Sequence, residues 1–437
     1  MVVNSMSYAT YDSYKDSGVD WLGEIPRDWE LSRISAFFSE RRQKVSDKDY
    51  PALSVTKLGV FPQWENVAKS NDGDNRKLVK KGDFVINSRS DRKGSSGIAK
   101  QDGSVSLINI VLKPVNIEPR YSEYLFKSYN FIEEFYRVGH GIVADLWTTR
   151  FDDIKNSMIA LPTFDEQTKI ANFLDQKTAQ IDQAIALKQQ QIEKLGEYKQ
   201  IVIQNAVTKG LNPNAPMKDS GVAWIGEIPE HWNVIRFRNA FRFNKGLNIT
   251  KENLNDEQGI LCLNYGEIHS KYGFEFIPNV HPLKFVDESY LKNNQKSLLN
   301  DGDFVFADTS EDIEGSGNFS YINGQDLVFA GYHTLIAKPK INFNSRFIAY
   351  VLDSSAFRNQ VRVRVKGVKV FSITQAILKT TFIWLPTEQE QNEIVKYLDE
   401  KMQKFNNAKI AYQIQIDRLK EYKNILINQA VTGKIKI

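Results

Sequence analysis

The sequence has one cysteine, Cys262, among its 437 residues, and it has no long apolar run. A single cysteine excludes an internal disulfide bond, and a reducing cytoplasm is the natural setting for such a chain. No uncharged apolar stretch reaches the length that crosses a membrane. Residues 1–14 lack the apolar centre of a signal peptide. We therefore expect a cytoplasmic protein without a membrane partner.

The motifs of several enzyme classes are also missing. The sequence contains neither the Gly-(x)4-Gly-Lys-Ser/Thr loop of phosphate-binding motors nor the glycine-rich cofactor loop and Asn/Asp-Pro-Pro-aromatic motif of methyltransferases. The five histidines show no metal-ligand spacing, and one cysteine cannot support a zinc site. Those histidines are His140, His231, His269, His281 and His333. The sequence thus predicts no catalytic, cofactor-binding or metal-binding residues in this chain.

A long stretch occurs twice in the sequence, 224 residues apart. Residues 161–208 open with Leu-Pro-Thr and Glu-Gln and close with Glu-Tyr-Lys and Ala-Val-Thr, and residues 385–432 repeat these motifs. Both copies contain Thr-x-x-Glu, the pattern of a capping box at a helix N-terminus. Gly210 and Gly433 suit the helix C-termini. No proline interrupts either copy, so each predicts one helix of about 45 residues, roughly 65 Å long.

Both predicted helices carry a narrow apolar stripe with heptad spacing. Such a stripe is typical of a coiled-coil seam rather than of a helix packed on a sheet. Lys188, Lys409 and Lys423 interrupt the stripe, which is compatible with contact to a partner protein at those points. Two unrelated surface helices are the plainer alternative, but the shared phase and caps disfavour it. The predicted seam residues are Leu174, Ile181, Ile185, Ile192, Leu195, Val202, Leu398, Phe405, Tyr412, Ile416, Leu419 and Leu426.

A tryptophan-containing box precedes each globular part of the chain. Residues 15–29 and 218–232 are identical at eleven of their fifteen positions. The box combines Asp-Ser-Gly turn chemistry with an Ile-Pro pair that cannot lie inside a helix, so it predicts an irregular segment. We expect the box to dock each globular domain on the end of the helix that precedes it. Binding of a partner is the alternative.

Two regions of short apolar runs and Gly, Asn and Asp turns follow the boxes and predict mixed α/β domains. Within them, single helices are expected around residues 121–135 and 345–357. The predicted fold class is α+β, with two mixed α/β domains, two long helices and an internal pseudo-twofold repeat. The expected divisions are a first domain over 1–161, a helix over 162–208, a linker over 209–216, a second domain over 217–385 and a helix over 386–433.

The two domains differ in the loop that follows a shared Gly-Asp-Phe-Val segment. Residues 88–97 are basic and residues 308–317 are acidic, which predicts a shared frame with a copy-specific task for the loop. Alternating Val and Arg or Lys at 361–370 predicts a strand with one cationic face, suited to phosphates or a groove. A solvated edge strand is the plainer alternative. The candidate DNA-binding residues are Arg89, Arg92, Lys93, Arg358, Arg362, Arg364, Lys366 and Lys369.

The order of box, variable domain and long helix, repeated once, resembles the specificity subunit of type I restriction–modification systems. The resemblance runs from Lys15 to Lys434 and rests on the combination of the Leu-Pro-(x)3-Glu-Gln helix starts, the helix-end motifs and the Trp-x-Gly-Glu-Ile-Pro boxes. It implies two target-recognition domains that each read half of a split, asymmetric double-stranded DNA site. It also implies an antiparallel helix pair that sets the gap between the halves.

The same resemblance implies partners and cofactors. Two methyltransferase subunits would assemble on the chain, followed by restriction subunits that act as motor and nuclease. S-adenosylmethionine, ATP and Mg²⁺ would then be bound by those partner subunits and not by this chain.

Two other hypotheses remain open at this point. A coiled-coil adaptor whose globular ends bind proteins, without DNA specificity, would also tolerate divergent loops. A single-chain DNA enzyme is the other, and the missing motifs disfavour it. The net charge of +4 is too small to decide between DNA and protein as the partner.

Overall fold

The chain forms two compact units that divide both long helices. Unit 1 comprises Met1–Gln189 and Gln413–Ile437, and unit 2 comprises Gln190–Tyr412. The predicted divisions instead give each long helix a segment of its own. The computed structural model describes residues 8–63, 73–142, 147–365, 367 and 369–437.

Unit 1 consists of short strands and short helices together with parts of the two long helices. Its strands are β1 (Tyr14–Asp16), β2 (Glu24–Pro26), β3 (Glu30–Arg33), β4 (Phe38–Glu40), β5 (Lys44–Val45), β6 (Leu53–Thr56), β7 (Gly59–Pro62), β8 (Arg76–Val79), β9 (Phe84–Asn87), β10 (Ser96–Ile98), β11 (Gly103–Val105), β12 (Asn109–Pro114) and β13 (Met158–Leu161). Its helices are α1 (Ile34–Phe37), a 3-10 turn (Ser90–Arg92), α2 (Pro119–Lys127), α3 (Tyr129–Arg137), α4 (Phe151–Ile154) and the start of the long α5 (Phe164–Lys209).

The core of unit 1 lies on both faces of one antiparallel sheet, ordered β10-β9-β12-β4. Phe84 and Ile86 of β9 pack with the apolar faces of α2 and α3. Val85 belongs to a separate apolar cluster with Leu53 and Val79. Side chains alternate along a strand, so a four-residue apolar run such as β9 fits a strand covered on both faces.

Unit 2 repeats this construction. Its strands are β14 (Met217–Asp219), β15 (Glu227–Pro229), β16 (Asn233–Arg236), β17 (Phe241–Lys245), β18 (Ile260–Leu263), β19 (Phe274–Phe276), β20 (Phe285–Val286), β21 (Leu298–Leu299), β22 (Phe304–Ala307), β23 (Thr309–Ser310), β24 (Phe319–Ile322), β25 (Val328–Ala330), β26 (Thr334–Pro339), β27 (Phe371–Ser372) and β28 (Phe382–Leu385). Its α-helices are the end of α5, α6 (Phe237–Ala240), α7 (Tyr265–Ser270), α8 (Ser345–Asp353), α9 (Ser355–Arg362), α10 (Gln375–Thr380) and the start of the long α11 (Glu388–Val431). Three 3-10 turns lie at Lys251–Asn253, Glu288–Lys292 and Gln295–Ser297.

The central sheet of unit 2 has the order β17-β26-β22-β24-β19 and matches the sheet of unit 1 strand for strand at its centre. In unit 1, Asn109 of β12 pairs with Asn87 of β9. In unit 2, Thr334 of β26 pairs with Ala307 of β22. The loops that leave these strands therefore begin at equivalent places in the two units.

The expectation of a single helix after each β12-type strand is wrong, because two helices follow in each unit. Ser128 separates α2 from α3, and its hydroxyl accepts a hydrogen bond from the backbone N–H of Phe131 at 3.4 Å. Ser354 does the same between α8 and α9, with Phe357 as the donor at 3.4 Å. Serine favours this N-cap position because its side chain satisfies an otherwise unpaired amide of the next helix.

A glutamine fixes the start of each long helix. The side-chain oxygen of Gln167 accepts from the backbone N–H of Glu118 at 3.0 Å, and its amide donates to the Pro162 carbonyl at 3.0 Å. Gln391 makes the same two bonds to Asn344 N–H, at 2.8 Å, and to the Pro386 carbonyl, at 3.0 Å. The Glu-Gln motif thus joins each long helix to the helix pair of its domain.

The predicted capping box is complete only in α11. There Glu390 N–H donates to the Thr387 hydroxyl at 3.4 Å, and the Glu390 carboxylate accepts from Thr387 N–H at 3.3 Å. At α5, Glu166 N–H donates to Thr163 at 3.4 Å, but the Glu166 carboxylate accepts instead from the hydroxyl of Tyr11 and the indole N–H of Trp29.

The tryptophan boxes dock on the C-terminal ends of the long helices. In unit 2, Gly210 has φ +71° and lies against Trp232, which is fully buried. In unit 1, Gly433 has the same φ and lies against Pro26 and Trp29. The expectation that each box docks on the preceding helix is therefore correct for the second box and wrong for the first, which docks on the last helix of the chain.

The two long helices run antiparallel within unit 1. The hydroxyl of Tyr121 bonds both to the Ala160 carbonyl, just before α5, at 3.4 Å and to the Val431 carbonyl, at the end of α11, at 3.3 Å. Further along α5, Asp182 pairs with Lys423 of α11 at 2.7 Å. One of the lysines that interrupt the predicted seam is thus paired with an acid of the other helix.

The same orientation holds within unit 2. The indole N–H of Trp384, just before α11, donates to the Val207 carbonyl near the end of α5. Tyr198 of α5 and Phe405 of α11 form an edge-to-face pair with ring centroids 5.7 Å apart. None of the twelve predicted seam residues is fully exposed. Those buried are Leu174, Ile181, Leu398, Ile416 and Leu426, and those partly buried are Ile185, Ile192, Leu195, Val202, Phe405, Tyr412 and Leu419.

Candidate nucleic-acid interface

Each unit has a cleft beside the start of its variable loop and the turn before β12 or β26. In unit 1, a β-bridge joins Arg89, at the start of the variable loop, to Thr148. In unit 2, Thr309 at the start of the loop pairs with Ser372 of β27. A segment distant in sequence therefore lies beside the variable loop in both copies, just before a short helix. Beyond the shared turn before β12 or β26, the first cleft is lined mainly by β4, β5, β8 and residues 148–152, and the second mainly by α7 and the variable loop.

The cleft of unit 1 has a volume of about 480 Å³ and a basic lining. Lys77 is bonded to other residues of unit 1: its ammonium donates to Glu40 at 2.9 Å and to the Asn109 carbonyl at 2.8 Å. Lys44 and Arg150 are exposed on the cleft wall. The lining residues are Glu40, Arg42, Lys44, Lys77, Ser88, Leu107, Ile108, Ile110, Thr148, Thr149, Arg150, Phe151 and Asp152.

The cleft of unit 2 has a volume of about 850 Å³ and an acidic lining. Its carboxylates come from the variable loop and its rings from two histidines and a tyrosine. His333 has φ +56°, a backbone conformation that is uncommon outside glycine. The lining residues are Tyr265, Gly266, His269, Thr309, Ser310, Glu311, Asp312, Glu314, Gly315, Asn318, His333 and Val370.

The predicted cations of the first loop have different commitments. The guanidinium of Arg89 lies 3.3 Å from the Asp91 carboxylate. Lys93 pairs with Glu133 of α3 at 2.6 Å. The Arg92 side chain is 68% exposed and lies 3.7 Å from Asp91, so it is the most accessible of the three predicted cations. Contact of these three cations with DNA stays a prediction.

The prediction of a cationic strand at residues 361–370 is wrong. The segment begins in the last turn of helix α9, and a turn follows the helix. Ser354 caps the helix, and the buried Phe357 and Val361, four residues apart, form its apolar face. The Val-Arg alternation at the end of the helix has a period of two only over a few residues. Helical spacing over the preceding turns and the serine cap decide the structure.

The arginines of α9 are held by other residues of unit 2. Arg358 donates to the Asn318 side-chain oxygen at 2.8 Å and to Asp353 at 2.9 Å. Arg362 donates to the Glu314 carbonyl at 2.6 Å. Burial, followed by the neighbouring Arg358 charge, lowers the pKa of Arg362. These arginines support the variable loop.

The remaining predicted cations lie beyond α9. Arg364 donates to the Gln360 carbonyl of the last helical turn at 2.5 Å, a contact that satisfies an unpaired helix-end carbonyl. Lys369 is exposed. Lys366 lies outside the described residues. Lys44 and Arg150 were not among the predicted cations, because each is far in sequence from Ser88, with which it lines the first cleft.

No catalytic group stands out in the part of the chain that the structure describes. Burial, followed by the charge of Glu267, raises the pKa of Cys262 to about 12, so its thiol is protonated at neutral pH and a poor nucleophile. No cluster of three or more His, Cys, Asp or Glu residues is placed to hold a metal ion within the described ranges. Nor does any helix in those ranges have the length and apolarity needed to cross a membrane.

The sequence profile of a known family matches both repeats. The profile describes the type I restriction modification DNA specificity domain, and it matches residues 26–196 and 229–415. The chain belongs to this family. The resemblance seen in the sequence motifs is thereby confirmed, and the specificity-domain family accounts for the duplication of domain and helix.

Named members of the specificity-domain family are similar along nearly the whole chain. The type I restriction enzyme MjaVIII specificity subunit of Methanocaldococcus jannaschii is 25% identical over 429 residues, which cover 94% of each chain. The putative MjaX specificity subunit of the same organism is 24% identical over 443 residues, covering 95% of this chain and 96% of the relative. The similarity therefore spans both units.

Solved structures share the fold. A chain in a structure described as the basis of complex assembly and conformational transition of the type I R-M system has a TM-score of 0.68 and 15% identity, over 93% of this chain and 98% of the other. The HsdS subunit from Thermoanaerobacter tengcongensis has a TM-score of 0.51 and 16% identity, over 94% and 98%. The predicted fold class of two mixed α/β domains with two long helices is confirmed.

Proposed function

We propose that this chain is the non-catalytic DNA-recognition subunit of a type I restriction–modification complex, and that each unit reads one half of a split DNA site. The observation that carries the proposal is that each repeat has a cleft beside the start of its variable loop and the turn before β12 or β26. Membership of the specificity-domain family supports DNA as the ligand. The exposed Lys44 and Arg150 of the first cleft have the charge that phosphates attract.

The two half-sites are expected to differ in sequence. The first loop carries arginines, which pair well with guanine edges in the major groove, whereas the second carries carboxylates, which accept from base amino groups. Carboxylates repel phosphates, so the second loop is suited to a base edge and not to the DNA backbone. An asymmetric bipartite site follows from this difference.

The long helices are proposed to set the gap between the half-sites and to bind two methyltransferase subunits, on which restriction subunits then assemble. S-adenosylmethionine, ATP and Mg²⁺ are assigned to those partners. We propose that the complex acts in the cytoplasm, as the single cysteine favours. A coiled-coil adaptor without DNA specificity is less favoured, because it does not account for membership of the DNA specificity-domain family or for a cleft beside the variable loop in each repeat.

Salt dependence of duplex binding tests the proposal. The full chain, assembled with its methyltransferase subunits, should bind its target duplex with an affinity that falls steeply as salt rises. Replacing both Lys44 and Arg150 by alanine should reduce the slope of log affinity against log salt by about 2 if both contact phosphates. Lys48→Ala is the matched control, since Lys48 is 79% exposed and lies outside the cleft lining.

The outcomes separate the two functions. An unchanged slope in the double variant would remove the first cleft from the interface. Absence of any duplex binding by the assembled complex, together with retained binding of the protein partners, would favour the adaptor.

A further inference from the structure

A continuous hydrogen-bonded chain crosses unit 2 from helix α9 to the variable loop. Asp353 accepts from Nη2 of Arg358 at 2.9 Å, and Nη1 of Arg358 donates to Oδ1 of Asn318 at 2.8 Å. Nδ2 of Asn318 lies 2.9 Å from Nδ1 of His269, and Nε2 of His269 lies 2.7 Å from the Thr309 carbonyl. This hydrogen-bond network therefore joins the α8–α9 pair to Thr309, near the start of the variable loop, and to Asn318, directly after its end.

The direction of every bond in this chain is determined by Arg358. A guanidinium only donates, so the side-chain oxygen of Asn318 must face it. The amide nitrogen of Asn318 then donates to Nδ1 of His269, which must accept and carries no proton. Nε2 of His269 carries the ring proton and donates to the Thr309 carbonyl, which only accepts. One amide orientation and one neutral imidazole tautomer satisfy all four contacts.

The hydrogen-bonded series is shielded from solvent at the Arg358–Asp353 pair, where it begins. The side chains of Arg358 and Asp353 are 17% and 14% exposed, so this charge-assisted pair is anchored inside the domain. Arg358 consequently has its donors directed at Asp353 and Asn318. A guanidinium held in this way fixes the position of Asn318 at the end of the loop.

A second contact of the same helix holds the middle of the loop. Arg362 donates to the carbonyl of Glu314, and the backbone N–H of Asn318 donates to the Gly315 carbonyl at 3.0 Å. The loop is thus held at its start, its middle and its end. Between these points lie the exposed carboxylates of Glu311 and Asp312, which line the cleft.

We infer that Arg358, Asn318 and His269 are positioning residues that hold the variable loop, residues 308–317, in the conformation that reads the second half-site. The inference rests on the proposed function and names residues of unit 2 that support recognition of the second half-site. A loop with several carboxylates discriminates between bases only if it is kept off the phosphates and facing amino groups on base edges. The hydrogen-bonded chain supplies that constraint.

Unit 1 provides an internal control, because the residue there that is equivalent to Arg358 has no side-chain hydrogen-bond donor. Ser128 and Ser354 are equivalent caps, so the residue four positions after each is equivalent, and Ile132 stands in unit 1 where unit 2 has Arg358. Substitutions of Arg358, Asn318 or His269 should therefore leave recognition of the first half-site unchanged.

The test uses the chain assembled with its methyltransferase subunits and measures competition between the correct duplex and duplexes altered in one half-site. Arg358→Met and His269→Ala should each reduce discrimination at the second half-site about tenfold, the factor that corresponds to about 1.4 kcal/mol. Discrimination at the first half-site should stay within about twofold of the unsubstituted complex, which reports that unit 1 is folded, and an unchanged denaturant midpoint for unit 2 reports that the substituted unit is folded.

A conservative variant and a spectrum separate positioning from general damage. His269→Gln places an amide N–H near the position of Nε2 and can still donate to Thr309, so it should retain most of the discrimination that His269→Ala loses. The ring ¹⁵N shifts of His269 should show a bare Nδ1 and a protonated Nε2, and Arg358→Met should abolish this fixed tautomer.

The results distinguish failure of this inference from failure of the proposed function. Unchanged discrimination in Arg358→Met, or equal losses at both half-sites, would overturn the positioning role while leaving DNA recognition intact. A complex without substitutions that does not discriminate at the second half-site would overturn the reading role of unit 2 itself.

Discussion

Unit 1 and unit 2 hold their variable loops with opposite chemistry. In unit 1 the loop supplies the cation, Lys93, and helix α3 supplies the acid, Glu133. In unit 2 the helix supplies the cations, Arg358 and Arg362, and the loop supplies the acceptors. The contact between the second helix and the loop is common to both repeats, whereas the residues that make it are not. A repeat can therefore change the charge of its loop and keep the loop supported.

The ends of the long helices show the same principle. The carbonyls of Val207 and Val431 lie in the last turns of α5 and α11, where no intrahelical donor remains. Trp384, on the strand before α11, donates to Val207, whereas Tyr121, on helix α2, donates to Val431. The unpaired carbonyl is at the same position in both units, but the donor comes from a different element.

We expect the largest effect on the free energy of unfolding from loss of the helix-end contact in unit 2. Trp384→Ala removes a fully buried indole and leaves the Val207 carbonyl without its donor. Loss of a buried tryptophan typically costs about 3–5 kcal/mol. Denaturant titration should show that loss in the free energy of unfolding of unit 2, with unit 1 little affected.

Tyr121→Phe is the matched variant in unit 1, because it removes only the hydroxyl. The expected loss is smaller, about 1–3 kcal/mol, which is the cost of leaving a buried acceptor unsatisfied. An equal loss for both variants would mean that packing of the indole contributes nothing beyond its hydrogen bond.

The next comparison concerns the two glycines on which the boxes dock. Both Gly210 and Gly433 have φ +71°, where a Cβ costs about 1–2 kcal/mol. At Gly433 an added Cβ would also lie 2.6 Å from Cγ of Pro26, whereas at Gly210 its nearest atom is Cζ2 of Trp232 at 3.3 Å. We expect Gly433→Ala to lower the thermal midpoint more than Gly210→Ala. The reverse order would contradict the tighter docking of the first box.

The smallest expected effect depends on pH and concerns Glu390. Burial raises the pKa of this carboxyl, but hydrogen bonds from His231, Thr387 and Trp232 outweigh it and lower the pKa below its usual value. Because the folded-state pKa is depressed, ionised Glu390 stabilises unit 2 above the unfolded pKa of about 4.3. That contribution is lost as pH falls through the folded-state pKa.

Glu390→Gln should therefore flatten the acid dependence of the unfolding free energy of unit 2 below about pH 4.3. Acid titration of stability, followed by fluorescence of the buried tryptophans, measures the slope. A slope identical to that of the unsubstituted protein would exclude a stabilising role for the ionised carboxylate.

The duplicated frame could be predicted from the sequence because its signals are local and occur twice. Repeated caps, glycines and apolar spacing determine the long helices, and the predicted seam residues are all at least partly buried. The shared Asp83 and Asp303 positions look like turn residues, and each carboxylate accepts a hydrogen bond from a backbone N–H three residues earlier, at Lys80 and Asn300.

The loop supports could not be predicted in the same way, because they join residues far apart in sequence. Arg358 contacts Asn318 forty residues earlier, and Lys93 contacts Glu133 forty residues later. The Val-Arg alternation at the end of α9 favoured a strand, and only the serine cap and the packing of Phe357 and Val361 made it a helix. Charged residues near a loop could thus be recognised, but not which of them support it.

The central claim, two reading units with a common frame and independent loops, is tested most directly by exchanging one unit's recognition region. Residues 30–160 would be replaced by the equivalent region of another specificity subunit, and the methylated adenines would be mapped in DNA modified by the assembled complex. One half of the recognition sequence should change and the other half should stay the same. A change in both halves would contradict this claim.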